Sequence, residues 1–263
     1  MAETREAPAG AALKPGTPSW VDFSTNDVEK AKTFYGGVFG WKFRDLGPDA
    51  GGYFMVDNAD GKEVAGGGPL QDPNMPPAWT SYVKVVDAAA TVAKAEAAGG
   101  RVLVAPMDVM GAGTMAILMD PTGAVIALWQ DGAHQGAEVY NGVGSLCWNE
   151  LGTRDVEAAK KFYGDVFGWV AKTEGEAGQE YTQFFLDDRS IAGMMDVSKV
   201  LPPEVPAYWL PYFGTASTQA VVDKVPGLGG QVRMGPMPSP FGDFAVIADP
   251  AGAVFAVIQL QQP

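Results

Sequence analysis

Two short segments pair an indole with a carboxylate at strand spacing: Trp20 with Asp22, and Trp148 with Glu150. Residues two apart on a strand point the same way. Trp20, Asp22 and Ser24 therefore share one face while Val21 and Phe23 take the other, and Trp148, Glu150 and Gly152 repeat the arrangement. A flat apolar surface beside an acid suits a planar aromatic ligand with a cationic group. Stacking on an aromatic ring adds about 0.5–1.5 kcal/mol beyond area burial, and a partly desolvated carboxylate–ammonium contact about 1–3 kcal/mol. The competing assignment makes both tryptophans core filling. Asp22 and Glu150 argue against it, because a closed core tolerates a carboxylate only when it is paired or hydrated. Trp79, Trp129, Tyr53 and Tyr82, and in the second half Trp209, Phe241, Tyr181, Phe184 and Tyr208, are further wall candidates that packing could equally explain. Met107 and Met110 answer Met234 and Met237 as a polarizable rim, with Met107 and Met237 placed in the ligand-binding set.

Most other chemistry falls on counting. The single histidine, His134, removes any His-pair motif, and the single cysteine, Cys147, removes an intrachain disulfide and any multi-cysteine metal site. His134 lies in a Gly-rich connector and reads as an exposed linker residue. Cys147, between Leu146 and Trp148 on an apolar strand, reads as a small buried hydrophobe. Gly66–Gly68 precede a proline and a loop rather than a helix N-terminus, so no phosphate cradle is expected. The 31 acidic residues against 18 Lys and Arg, a formal charge of −13, disfavour nucleic acid and anionic lipid as partners. No apolar run approaches the roughly 20 residues of a membrane span. Residues 1–15, rich in Ala, Pro, Gly and Glu, lack a secretory core and read as a flexible start, which points to a cytoplasmic location.

The elements that must hold the pairs come from a duplication. Trp20–Trp41 returns as Trp148–Trp169 with fourteen identities in 22 positions, and Asp120-Pro-Thr-Gly-Ala-Val125 returns as Asp249-Pro-Ala-Gly-Ala-Val254. Each first segment reads as strand, capped helix and strand, with Asn26 and Asp27 as cap chemistry, Ala31, Tyr35 and Val38 at helical spacing, and Gly40 as terminator. Tyr35 and Tyr163 are expected to face the sheet. The order β-α-β-β-β then recurs four times along the chain. The expected division is a first domain over 16–130, a linker over 131–144 and a second domain over 145–263.

These repeated motifs, Asp-Val-Glu-x-Ala-Lys-x-Phe-Tyr-Gly-x-Val-Phe-Gly-Trp and Asp-Pro-x-Gly-Ala-Val, resemble the vicinal oxygen chelate superfamily of glyoxalase I, extradiol dioxygenases and bleomycin-resistance proteins. The resemblance implies an α+β chain of two tandem glyoxalase-like domains, each built of paired βαβββ modules that form an open barrel. It extends to a two-domain actinobacterial subgroup with accessory proteins of anthracycline clusters. The superfamily's metal enzymes carry ligands where this chain has Trp20 and Trp148, Ala127 and Ala256, and Thr80 and Leu210, so neither a metal nor another cofactor is expected. The resemblance implies a metal-independent binder of a planar hydrophobic molecule, such as an aromatic polyketide with an amino sugar, acting beside a tailoring oxygenase in antibiotic resistance or biosynthesis. The alternative is a cofactor-free lyase or isomerase with Asp22 or Glu150 as general base, its pKa raised by burial against tryptophan. That alternative lacks an evident electrophile. A protein-interaction scaffold is the third reading.

Overall fold

A computed structural model describes residues 13–176, 178 and 180–260. The flexible start expected over 1–15 therefore lies, for residues 1–12, outside the described residues. The first module is β1 (Pro18–Thr25), α1 (Val28–Phe39), β2 (Lys42–Asp45), β3 (Phe54–Asp57) and β4 (Glu63–Pro69). The second is β5 (Ala78–Val85), α2 (Ala88–Ala97), β6 (Arg101–Asp108), β7 (Gly113–Met119) and β8 (Val125–Asp131). The third is β9 (Leu146–Thr153), α3 (Val156–Phe167), β10 (Val170–Glu174), β11 (Tyr181–Leu186) and β12 (Arg189–Asp196). The fourth is β13 (Tyr208–Gly214), α4 (Thr218–Lys224), β14 (Gln231–Met237), β15 (Gly242–Ala248) and β16 (Val254–Leu260). The strand orders are β2-β3-β4-β1-β5-β8-β7-β6 and β10-β11-β12-β9-β13-β16-β15-β14, so the class is α+β and neither sheet closes on itself. No described helix is long and apolar enough to cross a membrane.

The signature helices form for local reasons. Asp27 and Asp155 accept the backbone N–H three residues on, and Gly40 and Gly168 close the helices in the left-handed conformation. Such a cap is worth about 1 kcal/mol, and glycine takes the positive φ without a Cβ clash. The helices bury Ala31, Phe34, Tyr35 and Val38, and Ala159, Phe162, Tyr163 and Val166.

Packing groups the modules across the duplication. Among the described residues, one compact unit takes 13–20, Thr80–Gly136 and Trp148–Leu210, thus mainly the second and third modules; the other takes Val21–Trp79, Ala137–Cys147 and 211–260, the first and fourth. A hydrogen-bond latch joins the modules inside each unit. Tyr163 on α3 donates to Asp120 Oδ2 at 2.7 Å, while Asp120 Oδ1 accepts the N–H groups of Thr122 and Ala124. Tyr35 on α1 donates to Asp249 Oδ2 at 3.1 Å, and Asp249 Oδ1 accepts three N–H groups of its own turn. The two repeated motifs are thus halves of one contact, made twice. Burial raises both phenols well above the ordinary tyrosine range, with the facing carboxylate adding to the effect. Burial also raises the Asp249 carboxyl, against the lowering effect of its hydrogen bonds.

Candidate functional site

Trp148 and Glu150 lie on β9, two residues apart. The parallel pairing of β12 with β9 sets Gly193 opposite Glu150, and the antiparallel pairing of β11 sets Tyr181 opposite Met195. Gly193 has no Cβ, and this opens the route for Tyr181. A Cβ there would overlap the phenol oxygen and would stand 2.7 Å from Trp148 Nε1. A glycine inside a strand marks close approach of another group. The Tyr181 hydroxyl crosses this gap, accepts the Trp148 indole N–H at 3.0 Å and donates to Glu150 Oε2 at 2.8 Å. The result is a directed chain from indole to phenol to carboxylate. Burial first, and the Glu150 charge second, hold the Tyr181 phenol far above the ordinary tyrosine range, so it stays a proton donor.

Gly152, next on the same face of β9, serves Tyr208 similarly: a Cβ there would stand 2.7 Å from the Tyr208 Cζ. Burial, then the Glu150 charge, raises the Tyr208 phenol as well. Trp148 is only half-buried, and among the described residues no other ring stacks on it or meets its edge. The site is a shelf: an indole held by its own N–H, a carboxylate beside it and two phenols along its border.

The first half keeps one part of this plan and changes another. Tyr53 donates to Asp22 Oδ2 at 3.2 Å, and Gly66, opposite Asp22 in the β1–β4 pairing, leaves room for that phenol. Trp20 is 3% exposed, and the His134 ring meets it edge-on at 4.4 Å. The Trp129 indole donates to the His134 carbonyl at 2.9 Å, and Tyr82 lies edge-on to Trp129. This corrects the expectation of an exposed linker histidine. Backbone bonds from Gly132, Ala133 and His134 to the carbonyls of Gly111 and Ala112 tie the connector to the β6–β7 turn and carry the ring onto Trp20.

Trp79 and Trp209, expected as walls, are also corrected. Each is 7% exposed and packed in a core, where the Trp79 indole donates to Tyr35 and the Trp209 indole to Tyr163. They complete the latches. Met107 and Met237 are exposed on the edge strands β6 and β14, and Phe241 is exposed in the turn before β15; among the described residues Phe241 makes no ring contact. Burial pushes the Cys147 thiol up to about 12, which suppresses the thiolate. Sequence reasoning named Tyr181 and Tyr208 only as wall candidates and missed their link to Glu150. The signal was present in the mid-strand glycines.

The model of the Glyoxalase/Bleomycin resistance protein/Dioxygenase superfamily matches residues 17–128 and 145–257. The chain belongs to that superfamily. Within the superfamily it is 38% identical over 258 residues to the putative glyoxylase CFP32 of Mycobacterium tuberculosis, covering 96% of this chain and 98% of that protein. It is 36% identical over 263 residues to the anthracycline biosynthesis protein DnrV of Streptomyces peucetius, covering 94% of each. Among solved structures, the Mn(II)-bound glyoxalase from Novosphingobium aromaticivorans shares the fold at a TM-score of 0.64 and 18% identity, over 94% of this chain and 83% of that one. The 2,3-dioxygenase LapB from Pseudomonas sp. KL28 does so at 0.64 and 14%, over 96% and 95%.

The superfamily's metal does not fit the residues present. Ala127 and Ala256, at two of the expected ligand positions, are fully buried and have no donor atom, and Trp20 and Trp148 stand where imidazoles would be needed. Among the described residues no three His, Cys, Asp or Glu side chains gather as a divalent ion requires.

Proposed function

We propose that this superfamily member binds a planar aromatic small molecule on the Trp148 shelf without a metal, in an accessory role in antibiotic biosynthesis or resistance. The observation that carries the reading is the half-buried Trp148 indole, free of other ring contacts among the described residues and locked through Tyr181 to Glu150. A ring pre-set in orientation loses little entropy when a flat ligand covers it. A cationic group on that ligand would meet Glu150 at the shelf's edge. The likeness to the anthracycline biosynthesis protein DnrV supports an aromatic polyketide of the anthracycline type as the ligand; a tailoring oxygenase as the partner that supplies or receives it is part of the proposal. The test is tryptophan fluorescence titrated with flat aromatics including an anthracycline, alongside metal analysis of the purified protein. Saturable quenching that is lost in Trp148→Ala and weakened in Glu150→Gln supports the reading. Absence of quenching together with stoichiometric metal overturns it.

A second reading has one observation behind it. The Tyr208 phenol, raised above the ordinary tyrosine range by burial and the Glu150 charge, would supply a hydrogen-bond donor of the kind a cofactor-free lyase or isomerase needs to stabilise an enolate, while Tyr181 keeps its own hydrogen on Glu150. Glu150 would be its base. Turnover that vanishes in Glu150→Gln while the ligand still binds favours this enzyme over the binder.

A further inference from the structure

The two halves place a tryptophan at the same point of the same repeated strand, yet the two indoles end in different surroundings. Trp148 is half-buried, and among the described residues no other ring meets it. Trp20 is 3% exposed, with the His134 ring against it at 4.4 Å and 77°. His134 is not there by loose contact. Its own N–H donates to the Ala112 carbonyl at 2.9 Å, its carbonyl accepts the Trp129 indole at 2.9 Å, and its ring also meets Trp129 edge-on at 5.6 Å. Two residues on, Gly136 takes a φ of +104°, and a Cβ there would collide with the Ser19 carbonyl. The connector is therefore fitted to β1 immediately before Trp20, and it holds a flat, nitrogen-bearing aromatic ring on the indole.

We infer that His134 is the built-in occupant of the first half's aromatic surface, so that the chain takes one flat aromatic ligand, on Trp148, and keeps a second, latent site on Trp20. The inference rests on the proposed binding at Trp148. Edge-to-face contact between rings at this spacing is favourable, and a ligand must displace a ring already in place and tied down at its backbone. Removing the ring without cutting the backbone bonds frees the surface.

The probe is proflavine, a flat tricyclic cation, titrated calorimetrically into the full chain. Wild type should bind one equivalent, abolished by Trp148→Ala. His134→Ala should bind two, and the added equivalent should disappear in the Trp20→Ala, His134→Ala double variant. His134→Phe, which keeps a ring on the indole, should stay at one. A His134→Ala stoichiometry that stays at one overturns the inference, as does a wild type that binds two with one lost in Trp20→Ala. The single histidine allows a separate check. Its ring protons should resonate upfield in wild type and return toward random-coil positions in Trp20→Phe. Acrylamide should also reach one more tryptophan in His134→Ala than in wild type. If wild type binds no proflavine while both of these signals are present, the Trp148 reading fails and His134 still covers Trp20. If both signals are missing, the inference fails whatever proflavine does.

Discussion

Gly193→Ala adds one methyl group at the point where the shelf is tightest. The new Cβ would overlap the Tyr181 oxygen and would stand 2.7 Å from Trp148 Nε1, well inside contact distance for both. The phenol must retreat by roughly one and a half ångströms to reach ordinary van der Waals separation. That movement takes it out of the 2.8 Å bond to Glu150 and the 3.0 Å bond from Trp148. A hydrogen bond to a charged group contributes about 1.5–3 kcal/mol and a neutral one about 0.5–1.5 kcal/mol. Because the site is half-open, water replaces part of both, and the expected loss of stability is about 1–3 kcal/mol, the range typical of overpacking. At about 2–4 °C per kcal/mol for a chain of this size, melting should fall by about 2–12 °C. Ligand affinity should fall at least tenfold, about 1.4 kcal/mol, because the indole loses the bond that orients it. Differential scanning calorimetry and fluorescence titration read the two effects. Gly227→Ala is the control, since a Cβ there meets nothing within 4 Å. A Gly193→Ala protein with unchanged melting and unchanged ligand quenching would refute the path drawn for Tyr181.

Tyr163→Phe leaves a buried carboxylate oxygen of Asp120 and the Trp209 indole N–H without their partner; at about 1–3 kcal/mol for each of the two orphaned groups, urea unfolding should show a loss of about 2–6 kcal/mol. A loss below about 1 kcal/mol would show the latch to be unimportant. Asp249 has its carboxyl raised above 3.8, so the folded state binds the proton more tightly than the unfolded one; its contribution favours folding at low pH and declines as pH rises through that range. Asp249→Asn should therefore flatten the decline that sets in as pH rises past the ordinary carboxyl range, measured as the difference in urea midpoints from wild type. Tyr35, Tyr163, Tyr181 and Tyr208, four of the eight tyrosines, all have raised phenol pKa values. Folding stability should accordingly fall above about pH 10, and these four should ionise together with alkaline unfolding, seen as a cooperative step in tyrosinate absorbance. Cys147 should stay unreactive toward a thiol reagent at pH 8 until the chain is unfolded, in keeping with a thiol pushed up to about 12.

Period-two alternation on β9 was readable in the sequence, and the Tyr181 bridge joins Trp148 to Glu150 as that alternation expects, whereas Trp20 on β1 lies buried against His134. The same rule, applied to β5, groups Trp79 with Ser81 and Val83, which are buried. Trp79 and Trp209 went astray because aromatic character was weighed above the face on which each residue falls. The repeated Tyr and Asp-Pro motifs were visible as repeats, but their mutual contact was not. Tyr35 and Asp249 are 214 positions apart, and no local spacing reports a pairing of that range. Tyr181 and Glu150 are 31 apart and meet only because Gly193 lacks a side chain, a condition that involves three strands at once. His134 was misread because composition describes a Gly-rich connector as loose. Its order comes from backbone bonds to the Gly111–Ala112 turn, which composition does not encode.

The pairing of modules inside each compact unit also bears on how the chain reaches its native state during synthesis. The second and third modules are neighbours along the chain, so their unit can close once residues up to Leu210 have emerged. The first module has no such partner nearby. Its helix offers the Tyr35 hydroxyl to Asp249, which leaves the ribosome only after the two middle modules and most of the fourth. Until then Tyr35 on α1 meets Phe23, Trp41 and Trp79 from its own stretch of chain, but the contacts of Phe34 and Tyr35 with Phe255 are unmade, and that part of the helix face stays uncovered. The unit made of the outer modules is therefore the last to form, and mutations that weaken its latch should reduce the yield of folded chain more than equal losses in the inner one.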